Sequence, residues 1–170
     1  MFQQKDRNQG YERIKSFLQS IMLMENIREQ VEAMIDAYVA EIGLTKEQTY
    51  NPEKRAWYWV KGSARIEVFV QEISFDTHSR YYLRIFSPLI KVPSHHQIEF
   101  FRRLLEINDS KLGVKLTLLP GTDQIYATFE RDIKGIDYEE LATCIADMEW
   151  WADELDDELA SEFAGGQPLN

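Results

Sequence analysis

The sequence predicts an α+β fold, in which helices pack on a five-stranded antiparallel sheet in the order ααβββαββα. Three observations predict it. Apolar residues recur every three or four positions near both ends of the chain and around residue 100, which is typical of amphipathic helices. Between these segments, apolar and polar residues alternate over short runs, as they do in half-buried strands. A chain of 170 residues with 44% hydrophobic residues is also large enough to form its own core.

We expect one domain over residues 1–170, made of N-terminal helices with a link (1–56), a core (57–164) and a flexible tail (165–170). Residues 11–24 and 26–42 each carry an apolar stripe at helical spacing. Asn26 and Glu29 predict a capping box, and Gly43 predicts the end of the second stripe. The residues leave open whether these two stripes form one bent helix or two separate helices.

The stretch WYWVKGSARIEVFV (57–70) predicts a hairpin that turns at Gly62 and Ser63. This register pairs Trp59 with Ile66 and Trp57 with Val68, and places both tryptophans in the core. A turn at 76–79 then leads into a third strand over 80–87.

The other side of these three strands combines aromatic, aliphatic and arginine side chains, a composition that is enriched at protein interfaces. We call this set the mixed face; it comprises Tyr58, Val60, Arg65, Phe69, Tyr82, Arg84 and Phe86. Two interpretations stay open. The mixed face either binds another polypeptide or is covered by the chain's own helices.

Ser94 and Gln97 predict the start of a helix over 95–107. Its apolar side chains are expected to face inward: Ile98, Phe101, Leu104 and Leu105. A second hairpin turns at 120–123. It pairs Val114, Leu116 and Leu118 with Phe129, Ala127 and Ile125, respectively.

The final helix follows a predicted cap at Asp137, with Glu140 three residues later. Its core stripe comprises Leu141, Ile145, Met148, Ala152, Leu155, Leu159 and Phe163. Trp151 lies at the edge of this stripe, whereas Trp150 points away from it among acidic side chains. We expect the N-terminal helices to cover Trp150; the alternative is that Trp150 anchors a partner.

Charge and composition exclude several kinds of site. Residues 136–170 contain 11 carboxylates and no lysine or arginine, a field that repels nucleic acid. The best metal candidates are His95, His96 and Glu99, but three side chains on one helix make an incomplete site. Cys144 is interpreted as a structural thiol. We expect no cofactor, and no segment reaches the ~20 apolar residues that cross a membrane.

From Trp57 onward, the chain resembles the YbjN family, whose fold is that of type III secretion chaperones. The resemblance rests on IFSPLIKVP, LLEIND, LGVKLTLL and IYATFERDIKGIDYEEL, followed by an acidic helix. It implies a chaperone-like core over 57–164, and a protein that binds other polypeptides without known catalysis. The helix over 11–24 is similar to the N-terminal addition of the cyanobacterial versions.

The sequence therefore favours a cytoplasmic, non-catalytic, chaperone-like protein that binds another polypeptide or acts in regulation. We expect it to work as a homodimer through aromatic and acidic surfaces. The alternative is a regulatory domain that senses a small molecule in a pocket between sheet and helices. A metal-dependent enzyme that uses His95, His96 and Glu99 is the third possibility.

Overall fold

The computed structural model describes residues 2–163, apart from the side chains of residues 2–14, 17 and 20. The tail expected at 165–170 lies outside the described residues, as do the side chains of Tyr11 and Ile14. The helices are α1 (Phe2–Glu41), α2 (Lys46–Thr49), α3 (Gln97–Ser110) and α4 (Tyr138–Phe163). The strands are β1 (Tyr50–Asn51), β2 (Ala56–Lys61), β3 (Ala64–Ser74), β4 (Ser79–Lys91), β5 (Lys115–Leu118) and β6 (Gln124–Asp132). They form one antiparallel sheet in the order β1-β2-β3-β4-β6-β5.

The α+β class and the antiparallel sheet are confirmed, but the prediction of five strands is wrong because the sheet has six. The additional strand, β1, lies in the segment that was expected to be a link. Asn51 Oδ1 accepts hydrogen bonds from the backbone N–H groups of Glu53 and Lys54, and Arg55 adopts a φ of 47°. These features turn the chain back so that β1 pairs with β2. The element order is therefore ααββββαββα.

The two N-terminal stripes belong to one continuous helix, α1. The predicted cap at Asn26 is wrong because this residue lies inside α1, where its side chain accepts a hydrogen bond from Gln30 Nε2 (2.6 Å). The predicted helix end at Gly43 is confirmed. Gly43 adopts a φ of 83°, and the next N–H, of Leu44, donates to the carbonyl of Val39 (3.0 Å).

The predicted pairing of the hairpins is largely confirmed. Trp57 pairs with Val68 and Trp59 with Ile66, and Leu116 and Leu118 pair with Ala127 and Ile125. The predicted pair of Val114 and Phe129 follows the same register, but it lies outside the strand because β5 begins one residue later. Strand β4 is longer than the predicted 80–87 and continues into the stretch before α3.

Helices α1 and α4 pack on the sheet face that carries the two tryptophans. Trp57 Nε1 donates to Asp36 of α1 (2.8 Å), and Trp59 Nε1 donates to Glu149 of α4 (2.7 Å). The predicted cap of α4 is confirmed, because the backbone N–H of Glu140 donates to Asp137 Oδ1 (2.8 Å). Six residues of its predicted core stripe are fully buried, and Phe163 is half-buried. In the described part of the chain, no helix is long and apolar enough to span a bilayer.

Helix α3 differs most from the prediction. It begins at Gln97, and its N-cap is His96, with a φ of 56°, instead of Ser94. The buried residues are Phe100, Leu104 and Ile107, whereas Ile98, Phe101 and Leu105 face outward. Of the four residues predicted to face inward, only Leu104 does so. The pairs Phe100-Phe101 and Leu104-Leu105 place two apolar stripes about 100° apart, and periodicity alone does not choose between them.

Candidate protein-binding surfaces

The mixed face lies on the side of the sheet opposite the buried tryptophans. Along β2 and β3, its residues alternate with the core residues that contact α1 and α4. Val60 is 64% exposed, and Arg65, its partner in the register, is also exposed. The contacts we find for mixed-face side chains, among the described residues, are with other strand residues or with Lys54 in the turn before β2. This face of the sheet is therefore open.

Arg84 occupies the centre of the mixed face. Its guanidinium lies 4.7 Å from the ring centre of Phe86 and 5.9 Å from that of Phe69, and these two rings stack on each other at 5.5 Å. It also bonds to Gln71 (2.6 Å) and pairs with Glu130 (2.5 Å). Its Nε is buried with no hydrogen-bond acceptor among the described residues. Arg84 therefore covers Phe86, which is buried, and holds the stacked rings of Phe69 and Phe86 in place.

Arg84 and the carboxylates beside it on the mixed face are bonded within the sheet, whereas Arg65 is exposed. Burial raises the pKa of Glu130, but hydrogen bonds and charge from Lys115 and Arg84 outweigh it and hold the pKa below its usual value. Tyr58 donates to Glu67 (2.6 Å), and burial together with this bond raises the pKa of the Tyr58 hydroxyl. The mixed face therefore offers aromatic surface whose polar groups are already oriented.

A second candidate surface is the outward side of α3, which the sequence analysis placed in the core. We call Ile98, Phe101 and Leu105 the outer stripe; they are 81%, 37% and 69% exposed, respectively. The inward side of α3 is anchored by Phe100, whose ring packs edge-on against Phe163 (5.0 Å). Arg103 pairs with Glu158 and Glu162 of α4. Because α3 is held from behind in this way, the outer stripe is presented on a fixed helix.

Trp150 is 56% exposed, so the expectation that the N-terminal helices cover it is wrong. Its role as an anchor for a partner stays a prediction. Its ring contacts that of Trp151, whose centre lies 4.4 Å away. Trp151 is half-buried at the edge of the core stripe, as predicted, and Lys111 Nζ lies 4.5 Å from its ring centre.

The metal candidates His95, His96 and Glu99 are exposed at the start of α3. They line an open groove together with Pro93, Ser94, Glu162 and Phe163. Within the described residues, no group of three histidine, cysteine or carboxylate side chains is arranged to hold a metal ion. Cys144 is half-buried, and burial followed by the charge of Glu140 raises the pKa of its thiol. A raised pKa keeps the thiol protonated and unreactive.

A further groove, which the sequence analysis did not locate, lies between α1 and the end of the sheet. Its volume is about 430 Å³. Apolar walls come from Leu23, Met24, Ile27, Tyr81 and Ile133, and the cations Arg80 and Lys134 lie at its rim. No local pattern predicts this groove, because its walls come from three segments that are distant in sequence. The outer stripe did leave a signal, in the doubled Phe-Phe and Leu-Leu pairs.

Comparisons with known proteins give the fold. Neither a protein family nor a curated protein matches the sequence. The chain is similar to YbjN from E. coli, described as a candidate transcription regulator, with a TM-score of 0.52 and 16% identity over 80% of this chain and 93% of that one. It is also similar to the ExsC-ExsE complex, with a TM-score of 0.50 and 14% identity over 75% of this chain and 94% of that one. The chain therefore has the fold shared by YbjN and the type III secretion chaperones.

Proposed function

We propose that this chain is a non-catalytic, chaperone-like protein that binds another polypeptide, in a regulatory role and in the cytoplasm. The observation that carries the proposal is the open mixed face. An extended layer of aromatic rings beside an exposed Val60 and Arg65 is the composition found in the centres of protein interfaces. Because Arg84, Glu130 and Lys115 are already paired with one another, a partner that covers these three side chains leaves none of them as an unpaired buried charge.

The fold supports the same proposal. One neighbour with this fold is a protein in complex with another polypeptide, and the other is described as a regulator. At 14% and 16% identity, these neighbours give no residue of the interface. The binding surface is therefore inferred from this chain's own side chains.

We infer in addition that the chain forms a homodimer through the outer stripe of α3. Exposed apolar side chains at positions 98, 101 and 105 form one continuous row along the helix. A second α3 that packs antiparallel about a two-fold axis near the middle of the row covers these apolar side chains.

Site-specific photo-crosslinking in the native cell tests the use of the mixed face. A benzophenone amino acid replaces Val60, and the matched control replaces Glu139, an exposed residue on α4. We expect one polypeptide to crosslink at position 60 and not at 139, and Arg65→Glu to reduce the yield at position 60. Equal yields at both positions, or a yield that Arg65→Glu leaves unchanged, contradict the proposal.

The groove beside α1 favours a second candidate function, the binding of a small regulatory molecule. Its volume of about 430 Å³ falls within the range of small-molecule sites, and apolar walls with a few polar groups are typical of them. A ligand that binds only the folded state raises the melting temperature. We expect a metabolite that stabilises the wild type to lose its effect in Ile27→Trp, which fills the groove; an unchanged shift excludes the groove as the site.

A further inference from the structure

The carboxylates of α4 divide into two groups. Six of them bond within the molecule: Glu140 to Arg131, Glu149 to Trp59, Asp153 and Asp156 to Ser63, Glu158 to Arg103 and Lys111, and Glu162 to Arg103. Glu139, at the start of α4, is exposed, and no bond from a described residue reaches its side chain. The same holds for Asp147, Glu154 and Asp157 further along the helix. These three lie within two turns of Trp150 on the same side of the helix, so the free carboxylates surround the exposed indole.

The neighbouring Trp151 lies beside a cation and a carboxylate of the same molecule. Lys111 Nζ lies 4.5 Å from the ring centre of Trp151 and 3.7 Å from a carboxylate oxygen of Glu158, seven residues further along α4. Trp150 and Asp157 have the same seven-residue spacing as Trp151 and Glu158, and each lies one residue earlier in the helix, on its exposed side. Glu154 and Asp147 add one carboxylate on each side. Helix α4 therefore has two sets of an indole and a carboxylate seven residues apart. The set of Trp151 and Glu158 is occupied by Lys111, and the set of Trp150 and Asp157 is exposed.

We propose that Trp150, with Asp147, Glu154 and Asp157, binds a lysine or arginine side chain of a partner polypeptide. The indole face attracts the cation through its quadrupole, and the carboxylates attract it through charge. Helix α4 has no basic residue of its own to compete. The inference rests on the proposed polypeptide-binding function and specifies the chemistry of the partner: a basic segment that reaches the outer side of α4, on a different part of the molecule from the mixed face.

Peptide binding to the full chain tests the proposal. The probe is a labelled peptide in which lysine and glycine alternate, followed by fluorescence anisotropy at low ionic strength; the same peptide with glutamate in place of lysine is the negative probe. We expect Trp150→Leu to weaken binding about two- to fivefold, the contribution of one exposed cation and indole contact. The combined change Asp147→Asn, Glu154→Gln and Asp157→Asn should weaken it about five- to tenfold, and physiological salt should reduce the difference.

The matched control is Glu139→Gln, which removes one exposed carboxylate from the same side of α4, about 16 Å from Trp150 along the helix. It should leave binding unchanged. Because Trp150 is more than half exposed, Trp150→Leu should keep the wild-type melting temperature, so a weaker affinity reports on binding alone.

Two results overturn the proposal: a wild type that does not bind the lysine peptide, or a Trp150→Leu variant that binds it as well as the wild type does. If the lysine peptide binds through Trp150 but position 60 crosslinks to nothing, the cation site stands and the mixed face is wrong. If position 60 crosslinks and the lysine peptide does not bind, only the cation site is lost.

Discussion

Helices α3 and α4 lie on the same side of the sheet, but they use their surfaces differently. In α4, the apolar stripe is buried from Leu141 to Leu159, and Glu149, Asp153 and Asp156 bond to β2 and to the turn after it. In α3, one apolar stripe is buried and a second one is exposed. The inner side of α4 serves the fold alone. Helix α3 packs one side against the rest of the fold and presents the other side as a surface that the described residues leave uncovered.

The largest difference between the two helices should appear in stability. We expect Leu155→Ala, on the buried stripe of α4, to lower the free energy of unfolding by about 2–5 kcal/mol, because it leaves a cavity. Leu105→Ala, on the outer stripe, should change it by less than about 0.5 kcal/mol. Urea unfolding measures both, in a Phe101→Glu background that we expect to be monomeric. Equal losses at the two positions indicate that the outer stripe is part of the core.

The attachment of α4 to the turn between β2 and β3 gives an intermediate effect. Gly62 adopts a φ of 59°, and a Cβ at this position clashes with Asp153 Oδ1, which accepts from the N–H of Ser63 (2.9 Å). Gly113 has a similar φ of 77° but open space around it. We expect Gly113→Ala to cost about 1–2 kcal/mol for the left-handed backbone alone. Gly62→Ala should cost about 1 kcal/mol more, because it also disrupts the bond to Asp153.

Equal losses in Gly62→Ala and Gly113→Ala, measured by the same urea titration, contradict this account of the turn. They indicate that Asp153 moves aside without cost.

The smallest effect concerns Asp156, which is buried beside Ser63 with one carboxylate oxygen lacking a partner among the described residues. Burial, followed by the opposing bond from Ser63 and the repulsion of Asp157 and Asp153, gives a net rise in the pKa of Asp156. An acid whose pKa is raised in the folded state stabilises the fold most when it is protonated, below its ordinary pKa of 3.8. This contribution to the free energy of unfolding is lost as pH rises.

Asp156→Asn should therefore gain stability relative to the wild type as pH rises from about 4 to 7, by less than about 1 kcal/mol. Asp157→Asn, at an exposed neighbour, should show no such trend. Thermal unfolding at several pH values, read as the difference between variant and wild type, measures the effect. A difference that is constant across this range contradicts the raised pKa.

Much of the architecture could be predicted because local pattern and tertiary contacts agree. The alternation of apolar and polar residues around Gly62 predicted the register of Trp57 and Trp59. A helical wheel of α4 predicted its buried stripe. Both predictions hold because each segment has a single apolar face. The prediction failed where a segment has two apolar faces, as in α3. The prediction also missed β1, because a strand of two residues is too short to show a periodic pattern. This strand depends on the tight turn from Asn51 to Arg55.

The candidate surfaces were only partly predictable for the same reason. Alternation showed that Tyr58, Arg84 and Phe86 share one face, but not that the helices pack on the other. The wheel showed that Trp150 points away from the core stripe, but not that α1 leaves it exposed, because this depends on the path of α1 across the sheet.

Light scattering coupled to size-exclusion chromatography tests the proposal that the outer stripe of α3 binds a second copy of the chain. The wild type should have twice the chain mass of 20.0 kDa, and Phe101→Glu should have the mass of one chain with an unchanged circular dichroism spectrum. Trp150→Glu, which places the same charge at an exposed aromatic position on α4, should stay dimeric. A wild type with the mass of one chain at micromolar concentration, or a Phe101→Glu variant that remains dimeric, contradicts the claim.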